Sequence, residues 1–263
     1  MSGLLVAFGG ALGLLVGSFL NVVVFRVPAG RSVVRPRSAC PTCGATIRAR
    51  DNVPVLSWLV LRGRCRDCRA PISPRYPAVE ALTGLLFAGV VVRFAVAGSQ
   101  PWAVPAYGYL AAVGVALALI DLEHHRLPDA IVLPSYIVVA VLLALASWGE
   151  GDWSALLRAV VGGVALWVLY FLLLLAKPGG MGFGDVKLAG VVGGTLGWLG
   201  WGSLVVGAFA AFLLGGVVAI VLLLTHRAGR RTKISFGPWM VVGAFVGVAV
   251  GEPVWAAYLG LLS

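Results

Sequence analysis

Two short acidic stretches hold the residues best suited to chemistry. One is KPGGMGFGDVK, Lys177–Lys187, where Asp185 follows Gly179, Gly180, Gly182 and Gly184. The other is DLEHHRLPD, Asp121–Asp129, with three carboxylates and two imidazoles. Both adjoin long apolar runs. A carboxylate at the mouth of a membrane helix is costly and by default marks function. The bland alternative for Asp185 is a glycine-rich turn whose aspartate caps the next helix. Two carboxylates that meet can share a proton, one activating water while the other protonates a leaving amine, and they titrate as a pair. Asp121 and Asp185 can do this only if the helices delivering them are neighbours. Glu123 and Asp129 read as solvated or capping groups. His124 and His125, about 100° apart on a helix, read as interfacial polar residues rather than metal ligands. Glycine permits close backbone approach, so Gly182 and Gly184, with Lys187, are the candidate substrate contacts.

All four cysteines lie in one polar insert, as Cys40-Pro-Thr-Cys43 and Cys65-Arg-Asp-Cys68. The 21 residues between the pairs come close to the spacing of paired zinc knuckles. Each CxxC turn aims two thiolates at one point, and two turns supply a closed tetrahedral S₄ shell. A closed shell leaves no position for water, so such a metal is structural. Arg62, Arg64, Arg66 and Arg69 favour the thiolate form. Two disulfides or four free thiols are the alternatives, and a cytosolic loop disfavours disulfides. The insert has few large apolar residues, and a metal replaces the core it cannot build.

The elements that must position these groups are membrane helices. Of 263 residues, 60% are hydrophobic and 11% charged, against about half and a quarter in soluble domains. The expected fold is all-α, a polytopic bundle of about eight transmembrane helices with a small insert. The parts are residues 1–25 (first helix), 26–76 (CxxC insert) and 77–263 (helical core). The first apolar run has no basic leader segment or clear cleavage site and reads as a retained helix. Leu188–Leu224 is 37 apolar residues, about 55 Å of helix, too long for a core of about 30 Å. We therefore split it near Gly197–Gly202. With the N-terminus outside, one side of the membrane receives the eleven Lys and Arg of 26–76, then Arg126, Lys177, Lys187, Arg227, Arg230, Arg231 and Lys233. That is 18 of 20, and basic loops mark the cytosolic side. Asp121, Asp185 and the insert fall on that side. The basic insert suits anionic lipid; no base-reading surface accompanies it, so nucleic acid is not an expected partner.

Six ordered segments resemble one family. They are GSFLNVVVFRVP (17–28), DNVPVLSWLVLRGRCRDC (51–68), PISPRYPAVEALTG (71–84), IDLEHHRLPD (120–129), GMGFGDVK (180–187) and ISFGPW (234–239). Over nearly its whole length the chain resembles the type IV prepilin leader peptidases, membrane aspartic peptidases of the GxGD type. The resemblance implies cleavage of prepilin or pseudopilin leaders at the cytosolic face of a bacterial inner membrane, with Asp121 and Asp185 catalytic and Cys40, Cys43, Cys65 and Cys68 holding the metal. In members with the long insert it also implies N-methylation of the new N-terminus from S-adenosylmethionine. Gly63 and Glu80 are the nominated positions for the methyl donor. One departure is a shorter, proline-rich path ahead of Cys40, which bears on substrate preference. The competing class is a transporter or channel relaying protons or cations through interfacial carboxylates. A relay needs polar groups at several depths, whereas these aspartates sit at helix ends on one face.

Overall fold

A computed structural model describes residues 1–177, 180–225 and 235–262. Gly179 and the basic stretch His226–Lys233 lie outside them. Among the described residues the structure is helical: α1 (Ser2–Arg26), α2 (Leu56–Val60), α3 (Arg75–Val91, continued by a π turn Val92–Val96), α4 (Val104–His124), α5 (Asp129–Glu150), α6 (Trp153–Ala176), α7 (Phe183–Leu199), α8 (Trp201–Leu224) and α9 (Gly237–Gly260). Isolated bridges, Ala39–Thr46 and Arg64–Pro71, are the β pairing present among these residues.

Among the described residues eight helices are long, and seven have the length and hydropathy to cross a bilayer. The chain is a multi-pass membrane protein. The eighth long helix, α7, has 17 residues, about 25 Å at 1.5 Å per residue, short of the roughly 30 Å core. Its buried residues include the run Val186–Val192 except Lys187, so protein rather than lipid surrounds most of it. The 37-residue apolar run breaks at Gly200, between α7 and α8. A side chain there would collide with Glu252. Glu252 was not singled out in the sequence, because it stands alone in an apolar run. It caps α8 from another helix: Ser203 N–H donates to its Oε1 at 2.8 Å, satisfying a first-turn donor for which α8 has no local side chain.

The chain packs as two units, residues 1–104 with 111–116, and residues 105–110 with 117–263. In the first, α1 lays Gly9, Gly13 and Gly17 against α3. Lipid offers no hydrophobic drive between membrane helices, so close backbone approach replaces it. In the second, α6 packs on α7 and α8 on α9 through small residues such as Gly162, Gly193, Gly207 and Gly243.

A Cβ on Gly13 would sit 2.7 Å from the Thr83 carbonyl oxygen and 2.8 Å from Gly84 Cα, both backbone atoms. Gly13→Ala should therefore destabilise the α1–α3 pair by about 1–3 kcal/mol, the usual cost of overpacking. Gly89→Ala, where a Cβ meets nothing within 4 Å, should be neutral or slightly stabilising. Unfolding of the detergent-solubilised variants measures both.

Candidate active site and metal centre

Asp121 lies in the last turn of α4, the negative end of the helix dipole, where a carboxylate is unfavourable. Its compensation comes from the start of α9. Gly237 N–H donates to Asp121 Oδ2 at 3.1 Å. Ser235 Oγ donates to the Asp121 carbonyl at 2.8 Å. A serine has one hydroxyl proton, and here the carbonyl takes it. The 2.8 Å contact between His125 Nδ1 and Ser235 Oγ must then use a proton on Nδ1. His125 has a left-handed backbone (φ 49°), and its own N–H returns to the Asp121 carbonyl at 2.8 Å. A side chain on Gly237 would press on Asp121 Oδ2, 2.8 Å away, so the bare backbone is what lets α9 begin there.

Asp185 occupies the first turn of α7, where the dipole favours it. Its N–H donates to the Gly182 carbonyl at 3.1 Å, and Gly182 N–H donates to its Oδ2 at 3.0 Å. Each aspartate thus spends one carboxylate oxygen on a backbone N–H at a helix start. The side chains are 5% and 8% exposed by residue, and they are near enough for the charge of Asp121 to act on Asp185. Leu127 joins the two loops: a Cβ on Gly184 would lie 3.0 Å from Leu127 Cβ, and one on Gly237 3.3 Å from its Cδ2.

The other expected site residues fall around this core. Gly182 gives its N–H to Asp185, and Gly184 packs on Leu127. Lys187 Nζ donates to Asp129 Oδ1 at 2.7 Å and lies over the Phe183 ring, while Tyr136 OH donates to the Lys187 carbonyl. Asp129, expected as a capping or solvated group, is half of that ion pair. His124 and Glu123 are exposed. Sequence reasoning assigned no role to Ser235 or Gly237, although it quoted the segment holding them. The available signal was a serine followed closely by Gly-Pro, since proline in the first turn marks a helix start.

In the insert, the two CxxC turns are built alike. Cys40 N–H bonds the Ala45 carbonyl and Cys65 N–H the Ala70 carbonyl, at 2.9 and 2.8 Å. The residue after each second cysteine is left-handed, Gly44 at φ 70° and Arg69 at φ 61°. The four sulfur atoms lie within 4.8 Å of one another, and Cys40 Sγ is 3.8 Å from Cys68 Sγ. All four cysteines are free thiols rather than disulfides, close enough to hold one metal ion. Backbone N–H groups of Cys43 and Thr42 pull the Cys40 thiol down to about 6, while burial and the neighbouring thiols push Cys68 up to about 12. Around the cluster, Arg66 pairs with Asp51 at 2.6 Å and Arg48 with Asp67 at 3.1 Å. Glu80 is buried, and its Oε2 accepts Val55 N–H at 2.7 Å. Gly63 is left-handed (φ 66°) and packs beneath Trp58.

Residues 11–94 match the bacterial peptidase A24 N-terminal domain, and residues 108–220 match the type IV leader peptidase family. A prepilin leader peptidase/N-methyltransferase of Stutzerimonas stutzeri is 36% identical over 272 residues, covering 94% of this chain and 91% of that protein. Proteins of the same description are 36% identical in Burkholderia pseudomallei, over 96% of this chain and 87% of the relative, and 35% identical in Pseudomonas aeruginosa, over 94% and 91%. No solved structure matches. On its full-length relatives and both matched regions, the chain belongs to the type IV leader peptidase family.

Proposed function

We propose that this chain cleaves the leader peptides of prepilins or pseudopilins at the cytosolic face of the bacterial inner membrane and N-methylates the residue so exposed. The carrying observation is the pair of buried carboxylates, Asp121 and Asp185, each held through one oxygen at a helix start. Family membership supports the chemistry, and the 18-of-20 distribution of Lys and Arg supports the cytosolic side. No observation favours the transporter reading.

Asp121 and Asp185 act as one dyad. With Oδ2 of each tied to a backbone N–H, Oδ1 of each is the oxygen left to serve water and substrate. One carboxyl holds the shared proton and donates it to the leaving amine. The other, ionised, takes a proton from the attacking water. The attacking oxygen is water's, so no acyl-enzyme forms. His125 and Ser235 steady the end of α4. Gly182 and Gly184 keep side chains away from the approach to Asp185, and Lys187, tied to Asp129, borders it on α7.

The insert, residues 26–76, holds a structural zinc through Cys40, Cys43, Cys65 and Cys68. Metal–sulfur bonds of about 2.3 Å in a tetrahedron give sulfur–sulfur edges of about 3.8 Å, the separation of Cys40 and Cys68. Zinc when bound supplies the cross-link this insert lacks. The methyl donor is S-adenosylmethionine, and Gly63 and Glu80, which flank α2, are the nominated positions.

Asp121→Asn or Asp185→Asn should each abolish leader cleavage nearly completely, and the double variant should be little worse, because residues acting as one unit are non-additive. Substantial cleavage by either folded single variant removes the dyad. Metal analysis of the purified reduced protein should find one zinc per chain, and Cys40→Ser or Cys68→Ser should lower that content and loosen the insert, with any loss of cleavage indirect. Glu80→Gln keeps an acceptor for Val55 N–H while removing the charge. It should reduce methyl transfer while cleavage persists, measured by mass spectrometry of the product N-terminus.

A further inference from the structure

Helix α2 is short, and one of its faces is bare. Leu56, Leu59 and Val60, at i, i+3 and i+4, are 61%, 56% and 76% exposed. The opposite face is occupied: Ser57 Oγ donates to the Arg50 carbonyl at 3.1 Å and Trp58 Nε1 to the Ile72 carbonyl at 3.0 Å. The segment is held by a strained turn. Val55 has φ 60° and ψ −51°, and Leu56 N–H reaches the Pro54 carbonyl at 2.6 Å. This is a γ-turn, rare for any residue and costly for a β-branched one. The buried carboxylate of Glu80 holds it through the Val55 N–H.

That bond also sets the depth of α2. Glu80 is on α3, and its Cα is where a Cβ on Gly17 of α1 would lie 2.7 Å away. Asn21 of α1 donates to the Tyr76 carbonyl at 3.2 Å, so the two helices are level there. Gly17 is nine residues before Arg26, the last residue of α1, about 13 Å along the helix axis. The 25 residues of α1 span about 37 Å, some 7 Å more than a hydrocarbon core. Even if all that excess projects on this side, Glu80 Cα lies several ångströms within the membrane boundary, and the start of α2, one carboxylate side chain and one hydrogen bond away from it, lies at that boundary. Exposed Arg50, Arg62 and Arg64 flank the helix, and long basic side chains reach outward from such a depth to headgroups.

We infer that α2 is an interfacial foot, with Leu56, Leu59 and Val60 among the acyl chains of an anionic bilayer and Arg50, Arg62 and Arg64 on its phosphates. A second copy of the chain would not serve as the occupant, because a self-paired face would set these arginines against their own copies. An anionic surface meets both the charge and the apolar row.

The test uses the full-length protein in lipid nanodiscs, with p-benzoylphenylalanine placed at Leu59 or Val60, and at exposed Arg37 as the control. Irradiation in phosphatidylglycerol-containing discs should give phospholipid adducts at 59 and 60 well above those at 37, read by mass spectrometry. The yield should fall several-fold in purely phosphatidylcholine discs, and Arg62→Gln with Arg64→Gln should bring the anionic-disc yield to that lower level. Cross-linked dimers, or adducts no more frequent than at Arg37, would overturn the foot. A yield indifferent to both headgroup charge and the arginine substitutions would overturn the phosphate contacts.

Discussion

Burying a carboxylate without hydrogen-bond donors is among the costliest things a fold can do, and the need to supply donors to two buried carboxylates organises this one. In a membrane protein most backbone donors are already spent inside helices. The unspent ones are the first N–H groups of each helix. The structure begins α7 beside Asp185 and α9 beside Asp121, so each acid meets a free backbone donor at the positive end of a dipole. Everything else near the pair serves that placement: the glycines that keep Cβ atoms out of the way, Leu127 wedged between the two loops, and Ser235 tying the end of α4 to the beginning of α9.

The two acids reach this arrangement by different routes. Asp185 is placed locally, three residues after the Gly182 N–H it accepts. Asp121 depends on residues more than a hundred positions later, Ser235 and Gly237. The Asp185 half therefore needs only its own loop, whereas the Asp121 half exists only when α4 and α9 are both in position. Lys187 and Asp129 add a link of intermediate range, fastening α7 near its start to the first turn of α5.

The insert follows a different logic. It cannot build an apolar core, so it uses two like-built cysteine turns, two arginine–aspartate pairs and one buried glutamate. The Arg48–Asp67 pair, exposed on both sides, contributes little on its own. The convergence of four thiols and the Glu80 anchor at the membrane helix carry more of its order.

Much of this was legible in the sequence because it depends on composition or short spacing. Apolar runs of about twenty residues announce membrane helices whatever their neighbours, and a 37-residue run must break somewhere near its glycines. A CxxC pair fixes the direction of its own sulfurs, so two pairs at the right distance foretell a four-thiol cluster. Asp121 and Asp185 stood out because carboxylates are rare in such runs. The partners of these groups were not legible. Ser235, Gly237, His125 and Glu252 act across gaps of tens to more than a hundred residues, and nothing in local pattern says which helix starts will stand beside which acids. Lys187 read as a substrate contact beside the glycine loop; only packing turned it toward Asp129. Burial of α7 was likewise undetermined by its apolar sequence, since a lipid-facing and a protein-facing helix are equally apolar. Tertiary structure decided these points because backbone donors and carboxylates pair by proximity in space, which chain spacing does not encode.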